Sequence, residues 1–143
     1  MIDVGGKPVT ARTARATARL RARAETIDRI RQGSLEKGDA IATARLAGIM
    51  AAKRTSDILP LCHPLPLDAV EVSLSFSAPD CLLVETTVRA TARTGVEMEA
   101  LTAAAAAALT VYDMCKSIDR DMTIEEVRLE EKSGGSRGDY SRS

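Results

Sequence analysis

The chain has 143 residues, with 20 Lys and Arg against 20 Asp and Glu and a formal net charge of zero. That length fits one domain, and the charge balance excludes a bulk electrostatic pull toward nucleic acid or an anionic membrane. With 2 % aromatic residues and no Trp, the chain also lacks platforms for stacking bases.

In chain order, residues Ala14 to Arg23 alternate without a break, Ala and Leu on one face and Arg and Thr on the other. Period two predicts a half-buried strand, although the alanines alone favour helix. Glu25 to Gln32 reads as a short helix stopped by Gly33. Asp39 is placed to cap a second helix over AIATARLAGIMAAKR. The segment TSDILPLCHPLPL then breaks regular structure, because its three prolines each remove a backbone donor. Val70 to Phe76 and Leu82 to Ala90 alternate on either side of Ala78-Pro79-Asp80, which predicts an antiparallel hairpin.

Thr94 and Glu97 have the spacing of a capping box that opens a long helix to about Asp119. Thr123 to Glu131 forms a last strand. The order β-α-α-β-β-α-β implies an α+β two-layer sandwich, with helices packed on one face of a largely antiparallel sheet. Residues 1–135 are expected to form this single domain, and residues 136–143 a flexible polar tail.

The compartment is read from cysteines and ends. Cys62, Cys81 and Cys115 are odd in number and widely spaced, which disfavours a disulfide framework. The opening MIDVGGKPVT lacks the basic and apolar blocks of a secretory signal. No apolar run is long enough to span a bilayer. A cytoplasmic protein is expected, with neither a membrane nor nucleic acid as partner. A metal site of Cys62, His63 and Cys115 would lack a fourth ligand and a close-spaced pair, so no metal is expected.

Polar residues that could carry chemistry cluster at segment ends. Lys37 precedes the second helix and Lys53 closes it, where a cation also suits the helix dipole. His63, the only histidine, is held among prolines, either as a buried structural group or as a proton-transferring imidazole. Glu97 and Glu99 open the long helix. Asp113 and Lys116 lie one turn apart near its other end, as an ordinary ion pair or as an acid/base pair. Glu99 and Asp113 are 14 positions apart, so on a straight helix they share a face yet stand about 21 Å apart along the axis. One small-molecule pocket cannot touch both ends, so if both contribute to one site, that site is shared between subunits.

Lys37-Gly38-Asp39, AGIMAAKRTSDILPLCHPLPL, TGVEMEALTAAAAAALTVYDMCK and Glu131-Lys132-Ser133-Gly134-Gly135 together resemble the cyclic pyranopterin monophosphate synthases of molybdenum cofactor biosynthesis. The resemblance runs from Ile2-Asp3-Val4 to Gly134-Gly135, essentially the whole chain. It implies a ferredoxin-like sandwich assembled as a hexamer, a trimer of dimers. It also implies a lyase that converts 3′,8-cyclo-7,8-dihydro-GTP to the tricyclic pyranopterin with a cyclic phosphate, releasing pyrophosphate. No resident cofactor is implied, and magnesium would enter only with the substrate phosphates.

Carried over at matching positions, Asp113, Lys116 and Lys37 are the catalytic residues. Leu61, Cys62, His63, Glu97, Met98 and Glu99 match substrate-binding stretches, and Arg12, Lys53 and Lys132 match basic positions able to hold the triphosphate. The tail departs from the family, with Ser136-Arg137 after the two glycines where a lysine followed by serine is common. Should Lys37 and Asp113 enter one site from different subunits, mixing Asp113→Ala and Lys37→Ala protomers would restore partial activity.

Overall fold

The computed structural model describes residues 1–143. Strand β1 runs over Thr10–Arg21, followed by helices α1 (Ala24–Gln32), α2 (Ala40–Lys53) and the single turn α3 (Thr55–Ile58). The hairpin β2 (Ala69–Ala78) and β3 (Cys81–Ala92) precedes the long helix α4 (Glu97–Cys115), then β4 (Thr123–Ser133) and β5 (Tyr140–Ser141). The five strands form one antiparallel sheet in the order β2-β3-β1-β4-β5, with the four helices packed on it. Its first four strands and their crossing helices have the split β-α-β connectivity of the ferredoxin-like sandwich.

The alternation in β1 sorts its side chains as the sequence predicts. Ala14, Ala16, Ala18 and Leu20 are fully buried toward the helices. Against them lie Ala100, Ala103, Ala104 and Ala107 of α4, also fully buried. Small side chains on both surfaces let the helix axis approach the sheet closely, and dispersion between many methyl and backbone atoms replaces large interlocking side chains. The Thr86 hydroxyl on β3 ties the two layers by donating to the Ala100 carbonyl at 2.8 Å. Gly48 serves the same close packing, since a Cβ there would meet Val72 at 3.0 Å and the Ala103 carbonyl oxygen at 3.1 Å.

On the other face of the sheet, Arg15 pairs with Glu85 and Glu131, Arg19 with Glu126, and Arg21 with Asp80 and Glu125. These exposed pairs keep the open face wet and matched in charge, contributing little stability individually.

Some elements depart from the sequence reading. β1 starts four residues earlier and ends at Arg21, because Arg23 takes the N-cap position of α1. The segment expected to lack regular structure begins with α3, whose Thr55 hydroxyl donates back to the Ala51 and Ala52 carbonyls. The capping box is absent: Val96 is the cap residue and Glu97 already the first helical residue, so Thr94 lies too early to reach the free amides. α4 stops at Cys115, four residues short of expectation, because the chain tightens into Lys116–Asp119. In residues 136–143, expected as a flexible tail, Tyr140 and Ser141 pair with Lys132 and Glu131 of β4.

Asp119 accounts for the stop. Its side chain is only 2 % exposed, yet it accepts from the Arg23 amide at 2.9 Å, the Thr26 hydroxyl at 3.0 Å and the Asp121 amide at 3.2 Å. It therefore caps α1 from across the chain, supplying the acceptor that Arg23 lacks. Burial pushes this carboxyl up, but the donors and the Arg23 charge outweigh it and hold the group below the usual aspartate value. Replacing Asp119 with Ala is expected to destabilise the fold by about 2–4 kcal/mol, since buried donors lose a charged acceptor. Because the folded-state value is depressed, the stabilisation is present above the ordinary aspartate value of about 3.9 and fades as pH falls below it. Thermal melts of wild type and Asp119→Asn across pH should show the gap closing in acid.

Candidate active site

Two groups of polar side chains stand out, one at each end of α4. At the C-terminal end, Asp113 is held by two lysines. Its Oδ1 accepts from Lys116 Nζ at 2.7 Å and its Oδ2 from Lys37 Nζ at 2.9 Å, with the Asp113 carbonyl also within 3.2 Å of Lys37 Nζ. Lys116 arrives one helical turn on, as the sequence spacing requires. Lys37 arrives from the α1–α2 loop, fixed by buried Leu35 before it and by Asp39 after it, whose carboxylate caps α2 at the Ala42 amide. Hydrogen bonds from Lys116 and then Lys37 pull the Asp113 carboxyl down to about 2, and Asp113 in turn raises Lys116. The cluster is thus two ammonium donors oriented by one carboxylate, half exposed and net positive.

At the N-terminal end of α4 lies a cavity of about 810 Å³, a size suited to a nucleotide-like ligand. Leu61, Cys62 and His63 form one wall, and Glu97 and Met98 another. Arg12 and Lys132 enter from β1 and β4, joined by Lys7 from the N-terminal segment and Arg137 from the tail. Four cations face one carboxylate, Glu97, which Lys132 approaches at 4.0 Å. Arg12 is braced by an Nη2 bond to the Arg93 carbonyl at 3.3 Å, while its Nε is buried without a partner.

Behind Cys62 sits Glu99, 3 % exposed. One of its oxygens accepts from the Cys62 thiol at 3.7 Å, and the other, Oε2, is buried with no partner. Burial pushes the Glu99 carboxyl up, partly opposed by hydrogen bonds from its backbone and from Cys62; burial, then the Glu99 charge, raises the Cys62 thiol. A buried acceptor without a donor is costly, and a ligand N–H placed there would relieve it.

The structure therefore divides the sequence-derived candidates. Lys37, Asp113 and Lys116 meet in one cluster, and none of them lines the cavity. Leu61, Cys62, His63, Glu97, Met98, Arg12 and Lys132 line the cavity, with Glu99 against Cys62. Lys53 is exposed on the last turn of α2, outside both. Lys37 and Asp113 come from the same protomer, so mixing Asp113→Ala with Lys37→Ala leaves no cluster intact, and that pairing cannot rescue activity.

Cys115 lies at the far end of α4 from Cys62 and Glu99, about 24 Å from the latter by helical rise, so Cys62, His63 and Cys115 do not converge. No group of three His, Cys, Asp or Glu side chains is placed to hold a metal ion. Lys7 and Thr94 of the cavity wall were missed by sequence reasoning. Lys7 stands in a turn, its amide donating to the Val4 carbonyl, where no periodicity flags it.

The elevated Glu99 carboxyl has a measurable consequence. Its charged form is penalised in the folded state, so stability falls as pH rises from the ordinary glutamate value of about 4.3 through Glu99's own value. Wild type should lose thermal stability relative to Glu99→Gln over that interval, with the two converging below it. Parallel curves throughout would contradict the assignment.

Comparison with known proteins covers the same stretch. The MoaC family model matches residues 1–135. Cyclic pyranopterin monophosphate synthase 3 of Mycobacterium tuberculosis (strain ATCC 25618 / H37Rv) is 57 % identical over 142 residues, 99 % of this chain and 80 % of that protein. The cyclic pyranopterin monophosphate synthase of Herpetosiphon aurantiacus is 56 % identical over 141 residues, covering 98 % and 86 %. That of Brevibacillus brevis is 50 % identical over 142 residues, covering 99 % and 89 %. No helix is long and apolar enough to cross a membrane. Both ends of α4 and all of the cavity-lining residues except Ser136 and Arg137 fall within the matched residues, and the chain belongs to the MoaC family.

Proposed function

We infer that this chain is a cyclic pyranopterin monophosphate synthase, a lyase of molybdenum cofactor biosynthesis that converts 3′,8-cyclo-7,8-dihydro-GTP to cyclic pyranopterin monophosphate and pyrophosphate. The observation that carries the site assignment is the division of its polar groups. A cationic cavity lies at one end of α4 and a Lys-Asp-Lys cluster at the other. Neither half suffices: the cavity offers charge and shape, and the cluster offers ammonium acids.

In this reading the triphosphate lies among Lys7, Arg12, Lys132 and Arg137, and Glu99 Oε2 accepts from an N–H of the guanine-derived ring. An oxygen of the sugar attacks the α-phosphorus while the bond to the bridging oxygen of the β-phosphate breaks, and pyrophosphate leaves with that electron pair. The cations offset charge growing on the leaving oxygens. Lys116 and Lys37 move protons on and off nitrogen and oxygen during the ring rearrangement, and Asp113 holds both amines in place. The conversion is an internal rearrangement without net oxidation or reduction, so we assign no resident cofactor.

The two halves meet if two copies pair through α4. Its exposed side carries Met98 and Leu109, with half-buried Ala105 and Ala106 between them. A two-fold axis near Ala106, midway between Glu99 and Asp113, would run two such helices antiparallel. Each cluster would then face the cavity of the other copy, and the small residues at the crossing permit a close approach. A hexamer follows if three such dimers associate. The three free cysteines fit a reducing, cytoplasmic setting.

The direct test is pyrophosphate release from 3′,8-cyclo-7,8-dihydro-GTP by the purified oligomer. Release with pterin formation is expected, falling by at least about 100-fold in Lys116→Ala with the fold unchanged. Binding without turnover in the wild type would instead indicate a ligand-sensing module.

A further inference from the structure

The turn after β4 bears on Arg12 in a way its sequence does not disclose. Gly134 and Gly135 have φ of 91° and 90°, in the region that favours glycine. The turn is held firmly: the Gly134 amide donates to Asp139 Oδ1 at 3.1 Å, the Gly138 amide donates to the Gly135 carbonyl at 3.2 Å, and Lys132 pairs with Tyr140 beyond it.

The two glycines face different neighbours. A Cβ on Gly134 would run into the Ala11 carbonyl, which is strand backbone. A Cβ on Gly135 would meet only Arg12, colliding with Nη1 and standing 2.8 Å from Cζ and 3.2 Å from Nη2. The guanidinium thus lies against bare backbone on one side and is braced by the Arg93 carbonyl at 3.3 Å.

We propose that Gly135 is a positioning residue whose missing side chain forms the seat of the Arg12 guanidinium in the anion-binding cavity. The proposal rests on the reading of that cavity as the triphosphate site. A methyl group at position 135 leaves the sheet intact, because the obstructed atoms are the far end of one long side chain. What it displaces is the guanidinium, whose fixed fork gives bidentate phosphate contacts their geometry. Gly135 therefore acts on substrate only through Arg12.

That dependence makes a double-mutant cycle decisive. In the assembled enzyme, KM and kcat for pyrophosphate release would be measured for wild type, Arg12→Ala, Gly135→Ala and the double variant, with inorganic tripolyphosphate as a competing probe. Arg12→Ala and Gly135→Ala should each raise KM and weaken tripolyphosphate inhibition by about 10-fold, more than they lower kcat, because each removes phosphate binding rather than acid/base chemistry.

The double variant should match Arg12→Ala within about two-fold, since Gly135 has nothing left to seat. Gly138→Ala is the control for backbone strain: its φ is 74° and a Cβ there meets nothing within 4 Å. It should keep wild-type KM. Effects that multiply in the double variant, or an equal loss in Gly138→Ala, would overturn the seat. A raised KM in Arg12→Ala with wild-type KM in Gly135→Ala would overturn the seat alone, whereas wild-type KM in Arg12→Ala would remove the phosphate assignment beneath it. Should Gly135→Ala alone fail to fold, the double variant, which lacks the obstructing guanidinium, is expected to fold and to match Arg12→Ala. Failure of both to fold would contradict the proposal, since the obstacle would then be the backbone and not Arg12.

Discussion

Everything that positions the chemistry depends on the close contact between α4 and β1. Ala100, Ala103, Ala104 and Ala107 lie on Ala14, Ala16 and Ala18, all without solvent exposure. Packing made of small side chains has no long rotamers to rearrange, so the helix is held as a rod against the sheet. The length of that rod sets the distance between the ammonium cluster and the cavity. Replacing one of these alanines by a larger residue would lift the helix from the strand and disturb both ends together, because overpacking is relieved only by backbone movement.

The electrostatics follow the same division. On the open face of the sheet, Arg15, Arg19 and Arg21 are matched by carboxylates across neighbouring strands, so that strip presents an ion-pair lattice rather than a basic surface. In the cavity, Lys7, Arg12 and Arg137 have no carboxylate partner, and Lys132 touches Glu97 only at 4.0 Å. A chain of zero net charge therefore still offers a local anion site, built by choosing which cations to leave unmatched. Glu99 complements it from behind as a buried acceptor lacking a donor. At the other end of α4, Asp113 serves two amines at once and stays ionised far into acid.

Much of this was legible in the sequence because it follows from local periodicity. The alternation of β1, the Asp39 cap, the Gly33 stop and the hairpin around Pro79 all depend on residues within a few positions of one another. The pairing of Asp113 with Lys116 was legible for the same reason, and the distance between Glu99 and Asp113 followed from helical rise alone.

What could not be read locally depends on tertiary meetings. Lys37 reaches Asp113 across 76 residues, and only the family resemblance had linked them. Asp119 caps a helix 93 to 96 residues away, so it looked like an ordinary helix end. Glu97 fitted a capping-box spacing, but the helix starts two residues later than that motif requires, which frees its carboxylate toward Lys132. Lys7 sits in a turn with no pattern to mark it.

The central claim is that the two ends of α4 serve one reaction from two different protomers. It is tested most directly by mixing Lys116→Ala protomers, defective in the cluster, with Arg12→Ala protomers, defective in the cavity. In a two-fold dimer each hybrid would hold one site with both halves intact, so random mixing of equal amounts should recover about a quarter of wild-type activity. Verified hybrids with no activity above the parent variants would contradict the shared site.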